Sequence, residues 1–182
     1  MINEYPNKST DETTGSAGSA SLSNDDVIST LNSLIETCRD GQEGFKQAAE
    51  GIERSDLKSL FYEYSQQRSK FAGELQSLVV SLGGDPETSG STAGALHRGW
   101  INIKSVVTGK DDGAILNECE RGEDAAKSAF KDALKEALPG HIKDTIETQF
   151  SAIQEAHDRV KMLRDAANND TGDTASTATS SR

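Results

Sequence analysis

The sequence predicts an all-α fold, a bundle of four long helices, and three observations lead to that class. Apolar residues recur at intervals of three and four along four long segments of the 182-residue chain. Proline is scarce, with three residues, and aromatic residues make up 5%. Residues 36–45 and 117–126 also resemble each other, which indicates a duplicated helical hairpin. The aligned pairs are Cys38 with Cys119, Gly41 with Gly122 and Gln42 with Glu123.

The first hairpin follows a polar N-terminal segment. Residues 1–23 offer almost nothing to bury, so we expect a disordered tail there. Ser23 or Asn24 can cap a first helix over about 25–53, because both residue types accept bonds from first-turn N–H groups. Ser55 starts the second helix, and Gly83-Gly84 before Pro86 should end it.

The connection between the hairpins is unusually long. It runs from Asp85 to Asp112 and contains a helical pattern over about 92–107. Sixteen helical residues rise about 24 Å, enough to carry the chain along most of a bundle. We therefore predict a crossover connection that carries a short helix.

The second hairpin starts near Asp111 or Asp112. Its first helix should end at Leu138-Pro139-Gly140, and its second should follow at once and fade by Ala167. Residues 168–182 resemble the N-terminal tail and are also expected to be disordered, which leaves the bundle at 24–167. Short connections within each pair and one long crossover are the connectivity of ferritin-like four-helix bundles.

That connectivity makes the first and third helices antiparallel, which bears on the two cysteines. Cys38 and Cys119 each precede their aligned polar residue by four positions, so in antiparallel helices meeting there they diverge by about 12 Å. A disulfide needs Cα atoms within roughly 7 Å. We expect two small, reduced core residues, with a reactive pair as the alternative.

The charge and hydropathy patterns exclude several partners. A net charge of −11 without a basic stripe argues against nucleic acid. No apolar run reaches the roughly 18 residues of a membrane span, and the N-terminus lacks the layout of a signal peptide. The sequence therefore predicts a cytoplasmic protein.

Four short motifs resemble a known family. They are residues 36–45, 94–100, 120–124 and 156–159, with sequences ETCRDGQEGF, GALHRGW, ERGED and AHDR. Together they are similar to a bacterial family of ferritin-like four-helix-bundle proteins classed as a domain of unknown function. The likeness covers about residues 24–166. It implies the fold, but no activity.

Ferritin-like bundles suggest a test for a di-iron or di-manganese centre. Such a centre takes a Glu from each of two helices and Glu-x-x-His from each of the other two. The sequence contains no Glu-x-x-His, and a 100° projection turns one carboxylate, Glu123, inward at mid-bundle. We therefore predict a polar network in the core that needs no cation. Its members are Gln42, Gln67, Arg68, Glu123 and Gln149.

A metal site remains the alternative. Glu123 is one candidate ligand, and Glu74 with His157 could hold one iron or manganese ion weakly. Otherwise His157 is expected to bond a backbone carbonyl or a carboxylate such as Glu74.

The crossover segment also allows two interpretations. His97, Arg98 and Trp100 could anchor another subunit or protein, because Trp and Arg favour interfaces. Alternatively, Trp100, Ile103 and Val107 cover the side of the bundle, while Gly94 and Gly99 allow a close approach.

These observations favour a non-catalytic structural or protein-interaction domain without a cofactor, self-associating or bound to another protein. The alternative is an iron- or manganese-dependent bundle with oxidoreductase or storage activity, and a stress-response scaffold is a third, weaker idea. The number of inward carboxylates separates the first two. Four around one point favour a metal, whereas a salt-bridged Arg68 at that point excludes it.

Overall fold

The computed structural model describes residues 22–88, 100, 102–109 and 111–177, with side chains as far as 169. Five helices and no strand occur in these ranges, which confirms the all-α class. The helices are α1 (Asn24–Gly51), α2 (Ser55–Ser81), α3 (Ile103–Gly109), α4 (Asp112–Ala133) and α5 (Gly140–Thr177). None of the described helices combines the length and apolar character that crossing a membrane requires.

The predicted ends of the first hairpin are confirmed by its caps. Ser23 Oγ accepts a bond from the Asp26 N–H at the start of α1. At the end of α2, Gly83 has φ of 80°, its N–H bonds the carbonyl of Val80, and the Gly84 N–H bonds that of Val79. This is a Schellman motif, in which a glycine adopts the left-handed conformation that other residues avoid.

Hydrogen bonds between helices fix their directions. In the first hairpin, Asn32 donates to the carbonyl of Asp85 and Ser65 donates to that of Gln42, so α1 and α2 are antiparallel. Between the hairpins, Thr30 donates to Glu136.

A second hydrogen bond joins the other ends of α1 and α4. The Glu53 N–H donates to Asp112 Oδ1, so α1 and α4 are antiparallel, as the connectivity predicted. Arg164 pairs with Glu120 and His157 contacts Asp124, which makes α4 and α5 antiparallel. Helices α1 and α5 therefore run one way, and α2 and α4 run the other.

The duplication extends through both helices of each hairpin. Adding 81 to a buried position of the first hairpin repeatedly gives a buried position of the second. Pairs related in this way include Leu34 and Ile115, Cys38 and Cys119, Phe45 and Ala126, Leu75 and Ala156, and Val79 and Val160. The two hairpins thus share one packing register.

Among the residues that the structure describes, the core consists of two apolar clusters with polar side chains between them. One cluster includes Leu31 and Phe130, and the other includes Phe61 and Trp100. Along α4, Ala126 belongs to the first cluster and Cys119 to the second, with Glu123 between them. The candidate site lies at this middle level.

Three boundaries differ from the predictions. Helix α4 ends at Ala133, before the predicted stop at 138–140, and a turn follows; Pro139 disfavours helical backbone just before it. Helix α5 continues from the predicted end at 167 to Thr177, since no proline interrupts that stretch. In the crossover, α3 ends at Gly109, and the rest of the predicted 92–107 helix lies mostly outside the described residues. So do residues 1–21 and 178–182 of the predicted tails.

Candidate functional site

A buried ion pair occupies the middle of the molecule. Arg68 on α2 donates through Nη2 to Glu123 Oε2 on α4 at 2.5 Å, and each side chain is 1% exposed. A guanidinium and a carboxylate so deeply buried need each other, because either charge alone would carry the full cost of desolvation. The contact joins the two hairpins.

Aromatic rings and a glycine hold Arg68 in place. Its guanidinium carbon lies 5.9 Å from the ring centre of Phe45 and 5.7 Å from that of Phe71. Such positions favour a cation electrostatically. Gln67 Oε1 accepts a second bond from Arg68 at 2.6 Å, and a Cβ on Gly41 would lie 3.3 Å from Arg68 Cγ. The small residue leaves room for the arginine stem.

The other two predicted network members bond elsewhere. Gln42 Oε1 accepts from Arg39 at 3.0 Å. Gln149 donates to Glu74 Oε2 at 2.8 Å. The structure therefore joins Gln67, Arg68 and Glu123 directly, whereas Gln42 and Gln149 belong to separate contacts on either side.

Burial dominates the ionisation of these core groups. It raises the pKa of Glu123, although the neighbouring Arg68 charge acts in the opposite direction. Burial also raises the pKa of Cys38 to about 12 and that of Cys119 well above its usual range. Both cysteines are free and fully buried, which confirms their core placement. A neutral, buried thiol is a poor nucleophile, so this arrangement disfavours the reactive pair.

Some buried polar atoms of the central layer lack a protein partner among the described residues. They are Arg68 Nε, Glu123 Oε1 and Gln149 Oε1. A donor and two acceptors left in this state are the kind of groups that buried water satisfies in protein cores.

His157 lies on α5 among charged groups of α4 and of its own helix. Its Nε2 is 2.9 Å from Asp124 Oδ1, while its Nδ1 is 2.9 Å from Asp158 Oδ1 and 3.1 Å from Lys127 Nζ. The hydrogen bond from His157 lowers the pKa of Asp158. The ring is buried, with 8% of its side chain exposed.

The expected partnership of His157 with Glu74 is wrong. Glu74 accepts from Gln149 and lies 3.7 Å from Lys70, so it faces other groups. A helical projection shows that a residue is turned inward, but it does not show which neighbouring helix the side chain meets. His157 turns towards α4 and away from α2.

A group of possible ligands that the sequence interpretation missed lies beside this histidine. One ligand atom each from Glu120, Asp124 and His157 falls within 4.8 Å of the others. Glu120 and Asp124 are four residues apart on α4, and such residues share a helix face. That spacing, set against a histidine on the antiparallel neighbour, is the signal that could have revealed the group.

Trp100 is buried within its own chain, which agrees with the interpretation that it covers the side of the bundle and leaves little of its ring available as a surface anchor. It is 8% exposed and packs edge-on against Phe45, with ring centres 5.0 Å apart. A Cβ on Gly44 or Gly122 would lie 2.2 Å from its ring, so these two bundle glycines form its pocket. His97, Arg98, Gly94 and Gly99 lie outside the described residues.

Comparison with known proteins gives the chain a family but no activity. A search of curated proteins found no match. One family model, described as a domain of unknown function (DUF2383), matches residues 26–136. That range covers α1, apart from its first two residues, through α4, with both members of the central ion pair. Because the match takes in more than half of the sequence, the chain belongs to this family of unknown function.

Proposed function

We propose that this protein is a bacterial, cytoplasmic, ferritin-like four-helix bundle that acts as a structural or protein-interaction domain and not as an enzyme. The helix directions support this, since α1 and α5 run opposite to α2 and α4 with the long connection between the pairs. One crossover between two antiparallel hairpins is the ferritin-like arrangement.

The buried pair of Arg68 and Glu123 is the observation that carries the proposal. A carboxylate-bridged dimetal centre at this level needs several carboxylates around one point. Here the Arg68 guanidinium already neutralises the carboxylate of Glu123, and its positive charge would repel a divalent ion placed beside it. The residues at the middle of the bundle therefore do not fit such a centre.

The alternative is a metal-dependent protein with oxidoreductase or storage activity, in which Glu123, Glu74 and His157 hold iron or manganese. These three side chains have different partners: Glu123 pairs with Arg68, and Glu74 accepts from Gln149. His157 contacts Asp124. Because these side chains bond different partners, their ligand atoms do not converge on one point where a metal ion could bind.

Contact with another protein is the role considered for the exposed apolar side chains of this bundle. Tyr62, Val80 and Met162 are large apolar side chains left exposed on α2 and α5. These side chains are spread along the helices and do not by themselves define an interface, so the simplest partner to test is a second copy of the chain. Sedimentation equilibrium of the full chain at several concentrations would measure self-association.

Metal content gives the decisive test. The full chain, expressed without an affinity tag in medium supplemented with iron and manganese, is analysed for metals beside Glu123→Gln. We expect no pair of ions that depends on Glu123. About two iron or manganese ions per chain, lost in the variant, would overturn the proposal and make the protein a metalloenzyme or a metal store.

A further inference from the structure

The group of Glu120, Asp124 and His157 has the composition and spacing of a single-ion site. Its ligand atoms, two carboxylate oxygens and one imidazole nitrogen, lie within 4.8 Å of one another. Metal bonds of about 2.0–2.2 Å place neighbouring ligand atoms of one ion roughly 3.0–3.5 Å apart. One pair, His157 Nε2 and Asp124 Oδ1, is 2.9 Å apart. Small side-chain rotations would bring the third ligand into range.

The surroundings of His157 add a second observation. Metal-bound histidines usually donate the other ring N–H to a carboxylate, which fixes the tautomer and the ring orientation. Asp158 Oδ1 lies 2.9 Å from Nδ1 and can accept that bond. With the proton on Nδ1, the lone pair of Nε2 faces the oxygen of Asp124. Two electron-rich atoms at that distance repel each other unless a proton or a cation lies between them.

One protein cation competes for a ligand residue, and a second lies beside the histidine ring. Arg164 pairs with one oxygen of Glu120, and Lys127 Nζ lies 3.1 Å from His157 Nδ1. Neither need leave the area when an ion binds. Arg164 also pairs with Asp165 at 2.6 Å, and Glu120 has a second oxygen to offer. The affinity should consequently be limited by the presence of Arg164.

The first hairpin provides an internal comparison. The positions 81 residues before Glu120, Asp124 and His157 are Arg39, Glu43 and Gln76. Arg39 lies 3.5 Å from Gln76 Oε1 there, so a guanidinium and an amide occupy the places of the acid and the imidazole. The same backbone arrangement thus has the donors for a metal ion in one hairpin alone.

We propose that Glu120, Asp124 and His157 bind one divalent first-row transition metal ion, which clips α5 to α4. A ligand set of one imidazole and two carboxylates suits manganese, iron and zinc ions. The site lies between the helices of the second hairpin and does not use the central pair of Arg68 and Glu123. It therefore goes beyond the proposed function and stays compatible with it.

The test is a calorimetric titration of the tag-free, chelator-treated full chain with MnCl₂ and, separately, ZnCl₂. We expect one ion per chain, and at least tenfold weaker binding for Asp124→Asn and His157→Gln. Asp124 has a side chain that is 62% exposed, so its variant should fold normally, which circular dichroism checks. Gln76→Ala, changed at the equivalent place in the first hairpin, should bind as the parent does.

Arg164→Gln sharpens the experiment because it removes the competing guanidinium. It should tighten binding several-fold, a gain that a damaged fold would not produce. Equal affinity in the parent and Asp124→Asn, or no binding below about 1 mM, would overturn this site. The proposed function fails by a different result, a pair of ions lost in Glu123→Gln, so the two ideas can be judged separately.

Discussion

The two hairpins have matching patterns of buried apolar residues but different polar residues. The first contributes Arg39 and Arg68, and an offset of 81 residues gives Glu120 and Gln149 in the second. The same offset relates Gln42 to Glu123 and Gln76 to His157. The buried apolar positions recur in both halves. At these four polar pairs the first hairpin has two arginines and two glutamines, whereas the second has two glutamates, a glutamine and a histidine.

This difference shows how polar residues can fix the position of one hairpin of a duplicated bundle relative to the other. Arg68 belongs to the first hairpin and Glu123 to the second, and they meet in the interface between the two. Sliding one hairpin along the other by a turn would leave both charges buried without a partner. Such a cost is larger than that of misplacing one apolar side chain, so the pair selects a single register.

The largest effect should come from Glu123→Gln, which gives α4 the residue found at the equivalent place in α1. It leaves the Arg68 guanidinium buried without a counter-ion and should lower the free energy of unfolding by about 3–5 kcal/mol. Urea denaturation followed by circular dichroism measures the loss. Arg68→Gln combined with Glu123→Gln removes both charges and should recover most of the stability. A double variant as unstable as the sum of both single changes would show that the charges do not act as a pair.

A smaller effect is expected at the equivalent glycines. A Cβ on Gly122 would meet the Trp100 ring at 2.2 Å, whereas one on Gly41 would lie 3.3 Å from the flexible stem of Arg68. Gly122→Ala should therefore cost about 1–3 kcal/mol, and Gly41→Ala should cost less. Thermal unfolding and the emission maximum of Trp100 would report the change.

The control for this pair is Gly73→Ala, since a Cβ there meets no atom within 4 Å. Alanine in that helical position should stabilise α2 by about 0.5–1 kcal/mol. Equal losses at Gly41 and Gly122 would contradict the view that Gly122 faces the Trp100 ring whereas Gly41 faces the flexible stem of Arg68.

The smallest effect concerns the equivalent cysteines at alkaline pH. Burial raises the pKa of Cys38 from 9.0 to about 12, so the folded state keeps the thiol neutral while the unfolded state ionises. Its stabilising contribution is complete below pH 9 and is lost as the pH rises towards 12. At pH 10 the equilibrium constant for unfolding should be about tenfold larger, which lowers the free energy of unfolding by about 1.4 kcal/mol.

Urea denaturation at pH 8, 9 and 10 tests this dependence. The free energy of unfolding of the parent should fall over that range, and that of Cys38→Ala should fall less steeply. Cys119→Ala should behave in the same way, because burial also raises the pKa of that thiol. Parallel curves for the parent and both variants would show that the thiols ionise in the folded protein.

Local chemistry made much of the fold predictable from the sequence. Ser23 and Gly83 mark helix ends because capping depends on the residue itself and its nearest neighbours. Arg68 and Glu123 could also be placed inward, because a 100° projection needs only the position of the apolar stripe.

Contacts between distant elements were harder to predict. The pocket for Trp100 depends on how closely α1 and α4 approach, and nothing near Trp100 in the sequence points to Gly44 or Gly122. The group around His157 depends on which of two neighbouring helices the ring faces. Both features follow from the relative positions of whole helices, which local patterns do not encode.

The position of Trp100 has a practical consequence for studies of folding. The chain contains one tryptophan, and its ring touches α1 through Gly44 and α4 through Gly122. Helices of either hairpin can form without bringing those two glycines together. Intrinsic fluorescence therefore reports when the hairpins dock, while far-ultraviolet circular dichroism reports when the helices form. If the fluorescence and circular dichroism transitions coincide, the protein folds as one cooperative unit.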